Sequence, residues 1–219
     1  MDNDRPVVGI VGAGRAGTAF ARVLQAAGVD TDLCSTRPPK ALRHHVKIYA
    51  PGAQAVWPEQ IAERTLRHGP GVVILAVPQE ELDEVDPETV NGTVLIDATN
   101  TWQSEPLPGW LQAAVDEQLP TSRAIAGRFG GARTVKALNH LSHQQIEEAA
   151  AYQAPLAQRY AAAVATDDDE ARARVMGLLV RAGFDPVSIG SLDAGRLMEP
   201  GGPLFGRLLR RADILQHVR

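Results

Sequence analysis

Six residues near the start of the chain, Gly12-Ala13-Gly14-Arg15-Ala16-Gly17, constrain its fold more than any other stretch. They fit the pattern G-x-G-x-x-G, which is weak evidence when it stands alone. Here it follows an apolar run at residues 6–11 and opens a segment at 18–27, where Phe20, Ala21, Leu24 and Ala27 recur at helical spacing. A buried strand, a tight glycine turn and a helix, in that order, begin a doubly wound α/β sheet. Each glycine then has its own task. Gly12 permits the turn, Gly14 lets a pyrophosphate approach the backbone, and Gly17 lets the helix pack close to the strand. The free N–H groups at the helix start attract phosphate, so the whole turn, Ala13, Arg15 and Ala16 included, is a candidate cofactor loop. The bland alternative is a glycine-rich turn that holds nothing.

The pattern continues along the chain. Short apolar runs predict strands at 31–35, 72–77, 93–98 and 134–138, with a weaker third strand at 46–49 and a helix at 58–67 behind it. Gly28 stops the first helix and Pro78 ends the strand at 72–77. Residues 102–120 carry Trp102, Trp110 and three prolines and predict a long loop with some helix. Two later strands at 161–165 and 186–189 flank a helix over 168–182. Strands alternating with helices predict the α/β class: a Rossmann doubly wound, mainly parallel sheet with a small C-terminal α/β extension. The expected division is a dinucleotide-binding domain over 1–145 and a small part over 146–219 that continues the same sheet.

Composition removes several function classes. A net charge of −4 argues against a nucleic-acid footprint. No apolar run reaches the ~20 residues that span a bilayer, so no membrane partner is expected. The acidic start, Met1-Asp2-Asn3-Asp4, lacks the basic and apolar order of a signal peptide. Cys34 is the single cysteine, which excludes an internal disulfide and fits a reducing cytoplasm. The histidines show no metal spacing. Thr166-Asp167-Asp168-Asp169-Glu170 looks like a cation site but reads better as a helix start, capped by Thr166 or Asp167, so no metal is expected. The three lysines are Lys40, Lys47 and Lys136, which limits the choice of any catalytic lysine.

The end of the second strand selects the dinucleotide. NAD-binding turns place an acid there for the ribose 2′-hydroxyl. This chain places Ser35-Thr36-Arg37, two hydroxyls and a guanidinium, which suit a 2′-phosphate and so predict NADP(H). Ligands of open α/β sheets lie beyond the carboxyl ends of the strands. That rule gathers Ala76, Val77 and Pro78, Thr99 and Asn100, and Asn139 and His140 around the nicotinamide. Asn139 and His140 are the candidates for positioning an acceptor. For His140 a plain structural role, satisfying backbone groups at a strand end, remains open.

With those residues in view, the chain resembles the NADPH-dependent oxidoreductases of deazaflavin coenzyme F-420 and the related NADPH-dependent flavin and ferric reductase domains. The resemblance rests on the glycine turn, Cys34-Ser35-Thr36-Arg37, Val135-Lys136-Ala137-Leu138-Asn139 and the acidic helix start at Asp167. It extends to Gly183-Phe184-Asp185-Pro186-Val187, Gly190-Ser191-Leu192 and Arg196-Leu197-Met198-Glu199-Pro200. It implies NADP(H) at the sheet edge, a deazaflavin or a flavin (FMN or FAD) stacked on the nicotinamide, and a possible homodimer. It also implies that Asn139, His140 and Leu141 lie near the second ring. The expected activity is therefore hydride transfer between NADP(H) and a deazaflavin or flavin, both small-molecule partners. Two alternatives are an NADP-dependent reductase of the imine or hydroxyacid type, and an NADP-sensing protein without turnover.

Overall fold

The computed structural model describes residues 7–67, 69–102 and 105–218. The acidic N-terminal segment, Pro6 at the start of the first expected strand, His68 and two residues of the 102–120 loop lie outside them. Eight strands form one sheet in the order β3-β2-β1-β4-β5-β6-β7-β8. They are β1 Val7–Val11, β2 Asp30–Cys34, β3 Gln54–Ala55 and β4 Val72–Leu75. β5 Val94–Asp97, β6 Arg133–Ala137, β7 Ala161–Ala165 and β8 Asp185–Gly190 complete the sheet. The first six run parallel, β7 meets β6 antiparallel, and β8 runs parallel to β7. This is the expected Rossmann-type architecture.

The period of two along each strand builds a core on both faces. Val8, Ile10, Val72, Ile74, Val94 and Ile96 pack on one side, with Phe20, Leu24 and Leu179. Val11, Val73, Leu75 and Leu95 pack on the other, with Ile61, Leu111 and Phe129. The helices on these faces are α1 Arg15–Ala26, α2 Pro39–Tyr49, α3 Ile61–Leu66, α4 Gly109–Asp116 and α5 Thr121–Arg128. α6 His143–Ala149, α7 Asp169–Arg181 and α8 Arg211–Leu215 follow. The division expected near residue 145 falls inside α6.

Some expectations need correction. Residues 46–49 are not a strand but the last turn of α2. Pro39 starts that helix with a φ already suited to it. Leu42 and Val46, four residues apart, are its buried residues, whereas Ile48 and Tyr49 face outward. The third strand lies further on, at Gln54–Ala55. The cap of α7 is neither Thr166 nor Asp167 but Asp168, whose carboxylate accepts the Ala171 N–H at 2.8 Å. The sequence pattern predicts no helix over α2, α5, α6 or α8. For α6 a signal existed: Ser142 and Gln145 form a capping box.

The strand order turns back between β1 and β4, and a crevice opens at such a switch point beyond the carboxyl ends. The candidate site is built there.

Candidate functional site

Strand register sets the site's floor. Val11 stands opposite Cys34 and Leu75, Leu75 opposite Asp97, and Asp97 opposite Lys136. Gly12, Ser35 and Ala76 therefore leave the sheet at one level. Gly12 has a φ of +114°, and a Cβ there would lie 2.3 Å from the Ala76 carbonyl oxygen. A Cβ on Gly17 would lie 1.9 Å from the Gly12 carbonyl oxygen. These two glycines are demanded by the fold itself. Gly14 is different, because a Cβ there meets nothing within 4 Å. No protein contact requires that glycine, and the open space above it is where a ligand backbone would approach.

The turn is braced from behind. His45 on α2 hydrogen-bonds through Nε2 to the Ala13 carbonyl at 2.9 Å, so this histidine is structural rather than solvated. Ala13 is buried, Ala16 packs half-buried against the core, and Arg15 is exposed. α1 starts at Gly14 with no side-chain cap and no acid in its first turn. α7, by contrast, has both. The first N–H groups of α1 thus remain available for an anion.

Ser35, Thr36 and Arg37 form a turn at the end of β2, in which the Arg37 N–H donates to Ser35 Oγ at 3.1 Å. Thr36 and Arg37 are exposed. Among the described residues, Arg15 and Arg37 have no ion-pair partner. The nearest acid in the strand, Asp32, is 2% exposed and gripped by both nitrogens of the Arg64 fork. It does not take the place of a ribose-binding carboxylate. A cavity of about 420 Å³ opens beside this turn, between Ser35, Thr36 and Pro58 on one side and Val77 and Val85 on the other. Val11, Pro58, Val77 and Val85 give it an apolar side that suits a flat base, and Glu59, Glu81, Glu84, Asp86 and Glu88 line it as well. Cys34 lines it too, but burial pushes its thiol up to about 12, with Glu59 and Asp32 adding to the effect. The sulfur stays protonated and unreactive.

A larger cavity, about 690 Å³, lies at the opposite end of the sheet against Arg67, Arg174 and Arg181. These arginines are already engaged. Arg174 donates to the Pro70 carbonyl and Arg181 to the Gly28 carbonyl, beside helix C-termini. That end presents strand starts rather than strand ends, so the smaller cavity is the one on the side of the glycine turn.

At the nicotinamide end, Ala76 and Val77 are half-buried and Pro78 is exposed. Asn100 and Asn139 are brought together. Asn100 Nδ2 donates to the Asn139 carbonyl at 2.9 Å, and Asn139 Nδ2 donates to Asn100 Oδ1 at 3.0 Å and to the Met198 carbonyl at 2.8 Å. Asn139 is 3% exposed and sits behind Asn100, which is the partner that reaches the mouth. His140 is not brought to the mouth. It is 1% exposed, and its Nε2 accepts the Ala163 N–H of β7 at 3.4 Å. Burial, with the Lys136 charge adding, lowers its pKa to about 4. His140 thus takes the structural role that the sequence left open, and Leu141 is buried beside it.

Sequence reading missed a buried polar chain under Asn100. Lys136, fully buried, donates to Asp97 Oδ2 at 3.0 Å and to the Thr99 carbonyl at 2.7 Å. Thr99 Oγ donates to Asp97 Oδ1 at 2.7 Å and accepts Gln79 Nε2 at 2.9 Å. Thr101 Oγ donates to Gln79 Oε1 at 2.7 Å. The available signal was an aspartate and a lysine at the ends of two apolar strands, each needing a buried partner. Next to Thr101, the Trp102 ring meets Phe205 edge to face, centroids 5.7 Å apart. Among the described residues no cluster of His, Cys, Asp or Glu could hold a metal ion. No helix among them is long and apolar enough to cross a membrane.

Residues 7–101 match the model of the family described as NADP oxidoreductase, coenzyme F420-dependent. That segment runs from β1 to Thr101 and contains the glycine turn, Ser35-Thr36-Arg37, Pro78 and Asn100. No curated protein sequence matches the chain. Among solved structures, a hypothetical protein from Sinorhizobium meliloti superposes with a TM-score of 0.77 at 22% identity, over 95% of this chain and 97% of that one. A protein from Arthrobacter sp. FB24 assigned as an F420-dependent NADP-reductase gives 0.63 at 19%, over 96% and 90%. A reductive aminase from Aspergillus terreus, solved with NADPH, gives 0.54 at 18%. This chain is covered over 87% by that alignment but spans only 57% of the aminase. At these identities the likeness shows a shared fold. The family matched over residues 7–101 is one of NADP-dependent oxidoreductases.

Proposed function

We propose that this chain exchanges hydride between NADP(H) and a flat flavin-like partner, a deazaflavin or a flavin. The residues present fit NADP(H). Gly12 through Gly17 and the uncapped start of α1 would hold the pyrophosphate. Ser35, Thr36 and Arg37 would hold the 2′-phosphate, and Ala76, Val77, Pro78 and Asn100 would frame the nicotinamide, with Thr99, expected there from the sequence, buried beneath Asn100 instead. That cofactor supplies the hydride.

The observation that carries the reading is the state of Lys136. Its ammonium is committed to Asp97 and to the Thr99 carbonyl, and what faces the mouth is a carboxamide, Asn100. Reduction of a ketone or an imine needs a proton for its product. Hydride exchange between two rings needs them held face to face, with the reacting carbons about 3–3.5 Å apart, and makes no such demand on the protein. A mouth that positions without donating protons suits the second case. NADPH oxidation followed by its absorbance, with deazaflavin, with flavin and with no acceptor, tests the proposal. Turnover with either ring supports it. Tight NADPH binding without transfer to any such ring overturns it.

The imine or hydroxyacid type of reductase is the second reading, favoured by the likeness to the reductive aminase. The chain spans 57% of that protein, and the commitment of Lys136 to Asp97 and the Thr99 carbonyl weighs against this reading. Turnover of cyclic imines without turnover of flavins would select it. NADPH binding with no turnover of any kind would leave a sensor.

A further inference from the structure

The polar chain under Asn100 has a direction, and that direction is set from its buried end. Asp97 is ion-paired with Lys136 and is acceptor only. The Thr99 hydroxyl lies 2.7 Å from that carboxylate and must spend its proton there. Thr99 Oγ can then only accept from Gln79, which turns the Gln79 amide nitrogen toward Thr99 and its Oε1 toward Thr101. Thr101 must in turn donate to Oε1. Its single proton is consumed, so the hydroxyl of this half-buried residue has only a lone pair left to offer. A threonine is ordinarily ambivalent, but here the fold fixes it as an acceptor.

The next residue adds shape. Trp102, next to Thr101, is 43% exposed and rests edge to face on Phe205 of the C-terminal segment. That segment is tied to the site: the Gly206 N–H donates to the His140 carbonyl at 2.8 Å, and the Met198 carbonyl accepts from Asn139. Large exposed aromatic faces stack flat rings.

We propose that Thr101 and the Trp102–Phe205 pair select the hydride partner: a flat heteroaromatic ring that presents an N–H donor on its edge. This rests on the reading of the mouth as an acceptor site. An imide edge, such as that of an isoalloxazine or a deazaflavin, meets the requirement. A ring with carbonyls but no N–H, such as a quinone, leaves the Thr101 oxygen desolvated and unpaired. Thr101 is thus a specificity-determining residue, positioned by Gln79, Thr99, Asp97 and Lys136.

The test uses the whole protein, saturated with NADP⁺, and two probes that differ only at N3, where a methyl group replaces the hydrogen: lumiflavin and its 3-methyl derivative. Binding is read from flavin fluorescence, so no turnover is required. Lumiflavin should bind about three- to tenfold more tightly than 3-methyllumiflavin, the range expected for one neutral hydrogen bond. Thr101→Val should erase that preference while NADP⁺ affinity stays the same, and Thr101→Ser should keep it. Trp102→Ala should weaken both probes alike. Equal binding of the two probes by the wild type, no binding of either, or a preference that survives Thr101→Val would overturn the proposal. Loss of hydride transfer with the binding preference intact would instead count against the proposed reaction alone.

Discussion

At the scale of single residues, the three glycines of the turn are not equivalent, and mutation separates them. Gly14→Val places a side chain in space that no protein atom occupies. The expected result is a thermal midpoint close to wild type with NADPH binding abolished, read by calorimetry on the same sample. Gly17→Ala should behave in the opposite way. Its Cβ collides with the Gly12 carbonyl, so the helix must move off the strand and stability should fall. Arg37 belongs to the same scale. It is exposed and unpaired among the described residues, so Arg37→Ala should leave stability within about 0.5 kcal/mol. It should cost NADPH binding about 1.5–3 kcal/mol, the range for a hydrogen bond to a charged group. NADH, which lacks the 2′-phosphate, should bind the variant as it binds wild type.

At the scale of elements, the antiparallel seam between β6 and β7 is the feature with a pH signature. After Ala137 the chain turns through Leu138 at a φ of +68°, a left-handed conformation rare for leucine, and β6 stops pairing. The N–H of Ala163 would then be orphaned in the core. His140 supplies the missing acceptor through Nε2, so it must remain neutral. Its folded pKa, about 4, lies below the ordinary value of 6.5. Between those values the unfolded chain binds a proton that the folded chain refuses, so stability rises with pH there. The contribution is complete above about pH 6.5 and is lost as pH falls toward 4, with a total on the order of 3 kcal/mol. Urea unfolding from pH 7.5 to 4 should show this loss. His140→Gln, which retains an acceptor but does not titrate, should flatten that part of the profile. An unchanged slope in the variant would assign the pH dependence to other groups.

At the scale of the molecule, the site is a property of sheet order. The chain leaves β1 and β4 toward opposite faces of the sheet at the switch point, and every candidate cofactor contact lies on a loop leaving the carboxyl ends of β1, β2, β4 or β5. A ligand seated across those loops ties the two halves of the sheet together and is absent from the unfolded chain. NADPH at a hundred times its dissociation constant should therefore raise unfolding free energy by about 2.7 kcal/mol. NADH at the same concentration should raise it less. Equal shifts in the denaturant midpoint would contradict the role given to Ser35, Thr36 and Arg37.

The sequence by itself determined the sheet and the turn. Continuous apolar runs in β1, β4 and β5 fit a sheet covered on both faces, and Gly12 and Gly17 could be assigned because local backbone geometry demands them. Local pattern failed where the deciding contact lay far along the chain. Val46 is apolar in either a strand or a helix, and only its pairing with Leu42 against the core made α2 continue through it. His140 stands at a strand end in any reading, yet its direction was chosen by the unpaired N–H of Ala163 on an antiparallel strand. Lys136 and Asp97 found each other across neighbouring strands because neither charge can be buried alone. Trp102 meets Phe205, a residue about a hundred positions further on, through the packing of the C-terminal segment. Periodicity and turn chemistry act over a few residues, so the sequence shows them; a buried polar group is satisfied by whatever the whole fold brings within about 3 Å, so only the tertiary structure decides its partner.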